Sequence, residues 1–455
     1  MRKLVVNMKK DLTQGNITKT MLVFAGPMIV GNLLQQCYNI VDMLIVGKFL
    51  GAGALAAVGA AYTLMTFLTS VLIGMCMGSG TVFSFYFGQE NHRKLREGIT
   101  SSFLFIGVIT LVMNVLVFVL IDIILYLLKI PADIQQMTRE YVWVIFWGIF
   151  FIFLYNFFAF LLRAVGNSVI PLLFLGISSV LNIVLDILFV LVFQWGIAGA
   201  AWATVVSQIV SGVGIAMYTW VQEPSLRFSM RLQAIRKSRD SLGEIIHFSI
   251  AASVQQSVMN FGILMIQGLV NSFGTAVMAA FAAAVKIDSF AYMPAQEFAN
   301  AFSIFISQNR GAGKQQRVDK GVRSAILTSV LFCVGVSVTV VLLARYLMLI
   351  FIQPSEVEII RIGVEYLRIE GSFYLGIGIL MLWYGYYRAI GKPEMSVVLT
   401  VISLGTRVLL AYTLAPIRAI GVYGIWWAIP IGWFLADVTG YLYLRWIRRE
   451  KKERR

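Results

Sequence analysis

Charge is scarce in this chain: Asp, Glu, Lys and Arg make up 13% of 455 residues, with two histidines, three cysteines and nine prolines. Each shortage excludes something. Cys37, Cys76 and Cys333 fall within apolar stretches and show no paired spacing, so neither a disulfide framework nor a zinc site is supported. They are expected to be small buried apolar residues. No HExxH and no paired catalytic carboxylate motif occurs, which argues against an intramembrane enzyme. The run Gly311 to Lys314 lacks the first glycine and the following Ser or Thr of a phosphate loop, so no ATP is expected. The start, MRKLVVNMKKDLTQGN, offers a three-residue apolar stretch before charge returns. That is too short for a cleavable signal peptide, and the first helix is expected to stay in the mature protein.

What fills the space is apolar. Hydrophobic residues reach 59% and the mean hydropathy is +0.82, far outside the range of a soluble domain. Uncharged runs such as Phe49 to Gln89, Tyr141 to Leu162, Ile187 to Gln222 and Ser324 to Ala344 are long enough to cross a bilayer, which takes about 20 residues of helix. Twelve helices are expected, near residues 18–46, 54–80, 98–125, 134–160, 168–192, 197–221, 243–270, 276–305, 320–345, 356–386, 393–415 and 421–446. With the N-terminus inside, the inner segments collect 28 of the 37 Lys and Arg, while the outer loops and ends hold seven, Lys129 among them. This asymmetry is the positive-inside rule and places both termini in the cytoplasm. The net charge of +15 is therefore a topology signal, not a nucleic-acid footprint. The tail RWIRREKKERR reads as a juxtamembrane anchor to anionic membrane lipid.

The chain is also written twice. Glu140, Tyr141, Arg163, Ala164, Gly166, Gly196, Gly199, Trp202 and Ala203 recur as Glu365, Tyr366, Arg388, Ala389, Gly391, Gly421, Gly424, Trp427 and Ala428, every pair 225 residues apart. Upstream the register is 223, pairing Gly51 with Gly274 and Pro131 with Pro354. The only long hydrophilic interior stretch, Gln222 to Glu244, separates the copies. Six helices per copy return the chain to the same side, so the copies share one orientation. The expected organisation is an N-terminal six-helix lobe at 1–221, a cytoplasmic connector at 222–242, a C-terminal six-helix lobe at 243–446 and a basic cytoplasmic tail at 447–455. The fold class is an all-α polytopic membrane protein whose two lobes are related by a parallel pseudo-two-fold repeat. Repeats of this length and sense are characteristic of transporters, with the substrate path expected between them.

Where one copy is polar and the other is not, chemistry is the first suspect. Asp42 falls opposite Met265, Asn156 opposite Met381, Asp186 opposite Ala411, Thr204 opposite Ile429 and Asn182 opposite Arg407. A carboxylate at membrane depth costs a few kcal/mol, so it faces the bundle interior or water and is a functional candidate by default. Counting back from Lys48 and Gln194 places Asp42 and Asp186 about 9 and 12 Å inside the outer ends of their helices, a depth they can share. Asn182 and Asp186 are spaced i, i+4 and lie on one helical face. Two uses fit. Desolvation and mutual repulsion disfavour two charges in one apolar site, which makes a proton carrier. Alternatively the carboxylates with the Asn and Thr oxygens form a hard-oxygen cage for Na+ at Asp42 and Asp186. The plainer alternative is a static hydrogen-bonded cluster that fixes helix packing.

The second copy has its own polar candidates: Lys286, Asp288, Glu297, Glu370 and Arg407, of which the first four fall opposite Thr63, Met65, Gly74 and Ile145. A straight helix aligns Lys286 with Glu297, eleven residues on, although Pro294 intervenes. Glu370 and Arg407 both fall near mid-depth, and an ion pair between them is expected. Pro27 interrupts the first span and removes a backbone hydrogen bond to residue 23, so a bend is expected there. Met75, Met77, Phe153, Phe157, Phe158, Met259 and Met265 are candidates to line a pliable cavity for organic cations, although helix packing is the commoner role of such residues.

Several stretches carry a family resemblance: NIVDMLIVGKFLGAGALAAVGAA at 39–61, LRAVGNSVIPLL at 162–173, LNIVLDILFV followed by GIAGAAWATVVSQ within 181–208, and SQNRGAGKQQR at 307–317. Over about residues 15 to 446 the chain resembles the multidrug and toxic compound extrusion (MATE) transporters of bacterial type. The resemblance implies a first-lobe cation site on Asp42, Asn156, Asn182, Asp186 and Thr204 and a bending first-helix proline at Pro27. Some branches use acidic residues on the seventh and tenth helices instead. Here the seventh lacks any, and Glu370 lies on the tenth. The expectation is a secondary multidrug efflux antiporter of the bacterial inner membrane, exporting amphipathic, often cationic compounds in exchange for H+ or Na+. No other cofactor is implied, and a monomer is expected. The alternative is a flippase for lipid-linked oligosaccharide, which needs several cationic residues for a pyrophosphate; Lys286 and Arg407 give it thin support.

Overall fold

The computed structural model describes residues 10–127, 130–229 and 239–453. Lys129, most of the basic N-terminal cluster, residues 230–238 of the connector and the last two arginines of the tail lie outside the described residues. Within them the chain is α-helical, in the order α1 (Ile17–Phe49), α2 (Gly51–Gly88), α3 (His92–Leu127), α4 (Ala132–Ile145), α5 (Ile149–Ala164), α6 (Val169–Asp186), α7 (Gly196–Gln222), α8 (Arg239–Asn271), α9 (Thr275–Gly311), α10 (Gln315–Met348), α11 (Val357–Gly371), α12 (Tyr374–Ala389), α13 (Pro393–Leu414) and α14 (Tyr423–Glu453). Ten spans, one of them α4 and α5 taken together, are long and apolar enough to cross a membrane. The pair α11–α12 and α14 bring the all-α polytopic chain to twelve spans. In a bilayer core only structures that satisfy their own backbone groups survive, and helices do so within each segment.

The fourth and tenth spans are each two helices where the sequence suggested one. The first breaks at a 3₁₀ turn over Phe146–Gly148, between α4 and α5. The second breaks at Ser372 and Phe373, between α11 and α12. The starts of α4 and α11, and both ends of α5 and α12, stand in the same 225-residue register as the sequence identities. Hydropathy does not signal these breaks, because both fall inside apolar runs. In the first copy Asn114 of α3 reaches the gap and donates its Nδ2 to the Phe146 carbonyl at 2.6 Å, supplying a partner the interrupted ladder lacks. In the second, the Phe373 N–H bonds the Glu370 carbonyl at 2.9 Å.

The turn glycines repeat in conformation as well as identity. Gly51 and Gly274 have φ of 87° and 95°, Gly166 and Gly391 of 87° and 88°, and Gly196 and Gly421 of 60° and 55°. A left-handed backbone costs an L side chain steric energy that glycine avoids. This is why these positions survive as identities while the helix interiors diverge.

The chain divides into two compact units. Unit 1 comprises residues 1–14, 23–253 and 307–313; unit 2 comprises 15–22, 254–306 and 314–455. The first-copy helices of unit 1 therefore pack with the opening turns of α8 and the closing turns of α9. Small residues on α2 permit this. A Cβ at Gly74 would stand 2.5 Å from the Ser253 Cα, one at Gly78 would overlap the Phe248 carbonyl, and one at Gly88 the Gln308 carbonyl. Close backbone approach through small residues drives association in lipid, where burial of apolar surface gives no gain. Serine hydroxyls bridge the same seam: Ser79 Oγ to Ser249 Oγ at 2.9 Å, and Ser307 Oγ to the Thr81 carbonyl at 2.8 Å. Unit 2 has its own seam, where Arg388 reaches Asn300 Oδ1 at 3.2 Å and a Cβ at Gly385 would lie 2.6 Å from the Ala299 carbonyl. Gly78→Val should lower stability in detergent by roughly 1–3 kcal/mol or more, because the obstacle is backbone. Gly335→Val, on an exposed face with open space around it, should leave it unchanged; thermal melts of the two variants check the contrast.

Candidate functional site

The acidic residues of the first copy meet inside unit 1. Asp42 comes from α1 and Asp186 is the last residue of α6, and the two carboxyls lie close enough to act on each other electrostatically. Two ionised carboxyls that close repel each other where solvation is poor. Asp186 is 0% exposed, Asn182 2% and Thr204 9%, while Asp42 is half-buried. The helix changes pitch immediately after Asp186: Ile187–Val192 form a π-helical turn, closed by Phe193 N–H to the Leu188 carbonyl at 2.8 Å. Wide turns of this kind concentrate at functional sites. Here it follows directly on the buried acid.

Asn182, one turn below Asp186, links α6 to α7. Its carboxamide satisfies both ends when Nδ2 donates to Asp186 Oδ2 at 3.2 Å and Oδ1 accepts the Thr204 N–H at 3.3 Å. In the opposite orientation Nδ2 meets only the Thr204 hydroxyl, at 3.3 Å. The first orientation places a donor on the acid and is the better satisfied of the two. Asn156 stands apart from the acid pair. Its Nδ2 donates to its own helix at the Ile152 carbonyl, 2.9 Å away, and it shares with Asn182 and Thr204 the wall of a cavity of about 180 Å³. Of the five residues, the structure thus joins Asp42, Asp186, Asn182 and Thr204 directly and brings in Asn156 through a common cavity.

Two tyrosines were not singled out by the sequence comparison. Tyr38, one turn before Asp42, and Tyr141, on α4, both lie within electrostatic reach of the two carboxyls. Tyr141 was visible as half of the repeat pair Tyr141/Tyr366, where identity suggested scaffold. Tyr366 occupies the corresponding place in unit 2, within electrostatic reach of Glu370 and Asp288. Each unit thus sets the same tyrosine against an acidic cluster, but the acids come from non-equivalent helices.

That second cluster gathers Asp288 of α9 and Glu370 of α11, 2% and 5% exposed and within electrostatic reach of each other. Tyr374 donates to Asp288 Oδ1. Arg407 acts on both carboxyls electrostatically, yet the expected Glu370–Arg407 ion pair is not among the direct salt bridges of the described residues. Arg407 instead serves the two acids from a distance. Lys286 is exposed while Glu297 is buried, so the two do not share the single face that a straight helix gives; Pro294 lies between them in α9. Pro27 lies inside α1, which runs unbroken from Ile17 to Phe49. The chain passes from unit 2 to unit 1 between Leu22 and Val23, and the Val23 carbonyl is the acceptor that Pro27 leaves without its helical N–H. Phe153 packs tilted and Phe157 edge-to-face against Phe103 within the core of unit 1, as helix packing.

With this geometry established, the chain can be set beside known proteins. The sequence model of the family described as MatE matches twice, at residues 27–188 and 249–413, offset by close to the repeat register. The chain is 30% identical over 440 residues to the probable multidrug resistance protein YpnP of Bacillus subtilis (strain 168), covering 96% of this chain and 97% of that one. It is 26% identical over 420 residues to the probable multidrug resistance protein NorM of Thermotoga maritima, covering 90% and 88%. Its fold is similar to a solved structure of MATE in the bent conformation, with TM-score 0.89 and 23% identity over 97% of this chain and 98% of that one.

A proton held between Asp42 and Asp186 would have a direct spectroscopic consequence. Infrared difference spectra between the wild type and Asp186→Asn should show the loss of a protonated-carboxyl band. An unchanged carboxyl region would mean that Asp42 and Asp186 are not held as a proton-sharing pair.

Proposed function

The chain belongs to the MatE family of multidrug efflux transporters, and from that premise we propose that it is a secondary antiporter driven by H+ or Na+ through Asp42 and Asp186. It is a multi-pass membrane transport protein. Its substrates are amphipathic, often cationic organic compounds, in keeping with relatives named as multidrug resistance proteins. It works in the bacterial inner membrane as a monomer with both termini in the cytoplasm, in the lobe organisation 1–221 and 243–446, and without ATP. The observation that carries this reading is the approach of two carboxyls, Asp42 and Asp186, to each other inside an apolar lobe.

The mechanism follows from the cost of charge. When a proton or Na+ occupies the pair, the buried negative charge is compensated and Asn182 and Thr204 complete an oxygen-rich shell. When the cation leaves, two carboxylates confront each other in a medium that solvates neither well. A state that opens the pair to water is then favoured over one that encloses it. The cation therefore selects between facing states by differential affinity, which is the only way a ligand shifts a conformational equilibrium. Export follows by alternating access, and Pro27 is the element that lets α1 change shape. Asn156 contributes from the adjoining cavity wall rather than as a direct partner of the acids.

The test is gradient-driven uptake of a fluorescent organic cation by inside-out proteoliposomes, with proton and sodium gradients imposed separately. Wild type should accumulate the dye under at least one gradient, and Asp186→Asn, reconstituted to the same level, should fall to the signal of empty liposomes. Unchanged gradient-driven transport by Asp186→Asn would sink the coupling assignment. Failure of the wild type under both gradients would reopen the flippase reading.

A further inference from the structure

A basic cavity opens where the connector begins. It lies wholly within unit 1, between the first turns of α3 and the residues that follow α7, and measures about 680 Å³. Arg93, Arg96 and Arg227 line it against one carboxylate, Glu97, with Ser225 and Phe228 beside them. The carboxylate is already taken, since Arg93 Nε donates to Glu97 Oε1 at 2.9 Å, and Asp240 also acts on Arg93. Arg96 and Arg227 make no salt bridge among the described residues; each is anchored to backbone instead. Arg96 Nε donates to the Ser225 carbonyl at 3.2 Å, and Arg227 Nε and Nη2 donate to the Trp220 and Val221 carbonyls at 2.6 and 3.4 Å. A guanidinium has five N–H donors in a fixed fork, so both Nη groups of Arg96 and Nη1 of Arg227 are left for an anion. Side chains held in place by Nε lose less freedom when that anion arrives.

Depth and apolar surface select the anion. Arg227 caps the closing carbonyls of α7, where Met217, Trp220 and Val221 are 62%, 47% and 59% exposed, and Val210 continues the same face two turns earlier. On a helix that crosses a bilayer such a strip faces acyl chains, and an exposed tryptophan marks the headgroup level. Phe228 fastens the start of the connector over this edge: its ring meets Trp220 edge-to-face at 5.9 Å and Phe103 of α3 at 5.1 Å. Arginines fixed at the end of an apolar strip match an amphiphile with a phosphate head. A free phosphate would use the arginines and leave the strip idle.

We propose that this cavity binds the phosphodiester of an anionic phospholipid of the cytoplasmic leaflet, with Arg96 and Arg227 on the phosphate and the exposed face of α7 along the acyl chains. The charge asymmetry of the sequence supplies the side of the membrane. The site is separate from Asp42 and Asp186, so the failure of either leaves the other standing. The test is photo-crosslinking of the full chain in detergent micelles with a phosphatidylglycerol that carries a diazirine in its acyl chain, followed by mapping of the labelled peptide. Label should fall on α7 between Val210 and Val221, and unlabelled phosphatidylglycerol should displace it while phosphatidylcholine and inorganic phosphate do not. In Arg96→Gln/Arg227→Gln the lipid concentration needed should rise roughly thirty-fold, from about 1 kcal/mol for each arginine near the surface. Arg448→Gln/Arg449→Gln, in the basic tail, should label as wild type does. Equal displacement by phosphatidylcholine, or undiminished labelling of α7 in Arg96→Gln/Arg227→Gln, would overturn the site. Displacement by inorganic phosphate would overturn the lipid assignment in favour of a free anion. The competition uses wild-type protein and decides even where the double variant folds poorly.

Discussion

An acid cannot be left ionised and alone in the hydrocarbon core, and the first unit is arranged around that constraint. Asp42 and Asp186 lie within electrostatic reach of each other, Asn182 is oriented to donate to Asp186, and the Thr204 N–H holds Asn182 in turn. The supporting structure follows. The π-turn Ile187–Val192 begins where Asp186 ends α6, and Tyr38 and Tyr141 face the pair from α1 and α4. Two acids brought together in an apolar lobe are suited to respond to a bound cation, which is what the proposed antiport needs.

The second unit solves the same problem differently. Asp288 and Glu370 lie within electrostatic reach of each other and have Arg407 as permanent positive charge nearby, with Tyr374 donating to Asp288. A fixed guanidinium offsets buried negative charge without any exchangeable ion. The two copies thus keep one scaffold, including Tyr141 and Tyr366, and diverge in how their acids are compensated. The Asn182/Arg407 pair states the difference at a single repeat position: an amide where the site is to be filled from outside, a guanidinium where the chain supplies the charge.

Much of this was legible in the sequence, for identifiable reasons. The repeat was legible because its turns need glycine in a left-handed conformation, as at Gly166 and Gly391. Asp42, Asn182, Asp186 and Thr204 stood out because each has an apolar or mismatched residue in the other copy. The breaks at Phe146–Gly148 and at Ser372–Phe373 did not show, because hydropathy carries no trace of a 3₁₀ turn within an apolar run. Tyr141 was hidden by its own recurrence, since identity between copies reads as scaffold whether or not the side chain faces a site. Arg96 and Arg227 counted only as topology signals, because a tally of charge by segment says nothing of where a guanidinium is anchored. Only the assembled cavity shows that they share a wall. Asn156 was legible as a polar exception but not as one that bonds its own helix.

The central claim is that the Asp42–Asp186 pair holds an exchangeable cation whose release accompanies substrate binding. Its most direct test is to titrate purified protein in weakly buffered detergent solution with an organic cation substrate, while following proton and sodium activity. The account predicts that the wild type releases a proton or a sodium ion as substrate binds, and that Asp42→Asn/Asp186→Asn releases neither while unit 2 is unaltered. Equal release from wild type and the double variant would contradict it, and would place the exchangeable ion elsewhere in the chain.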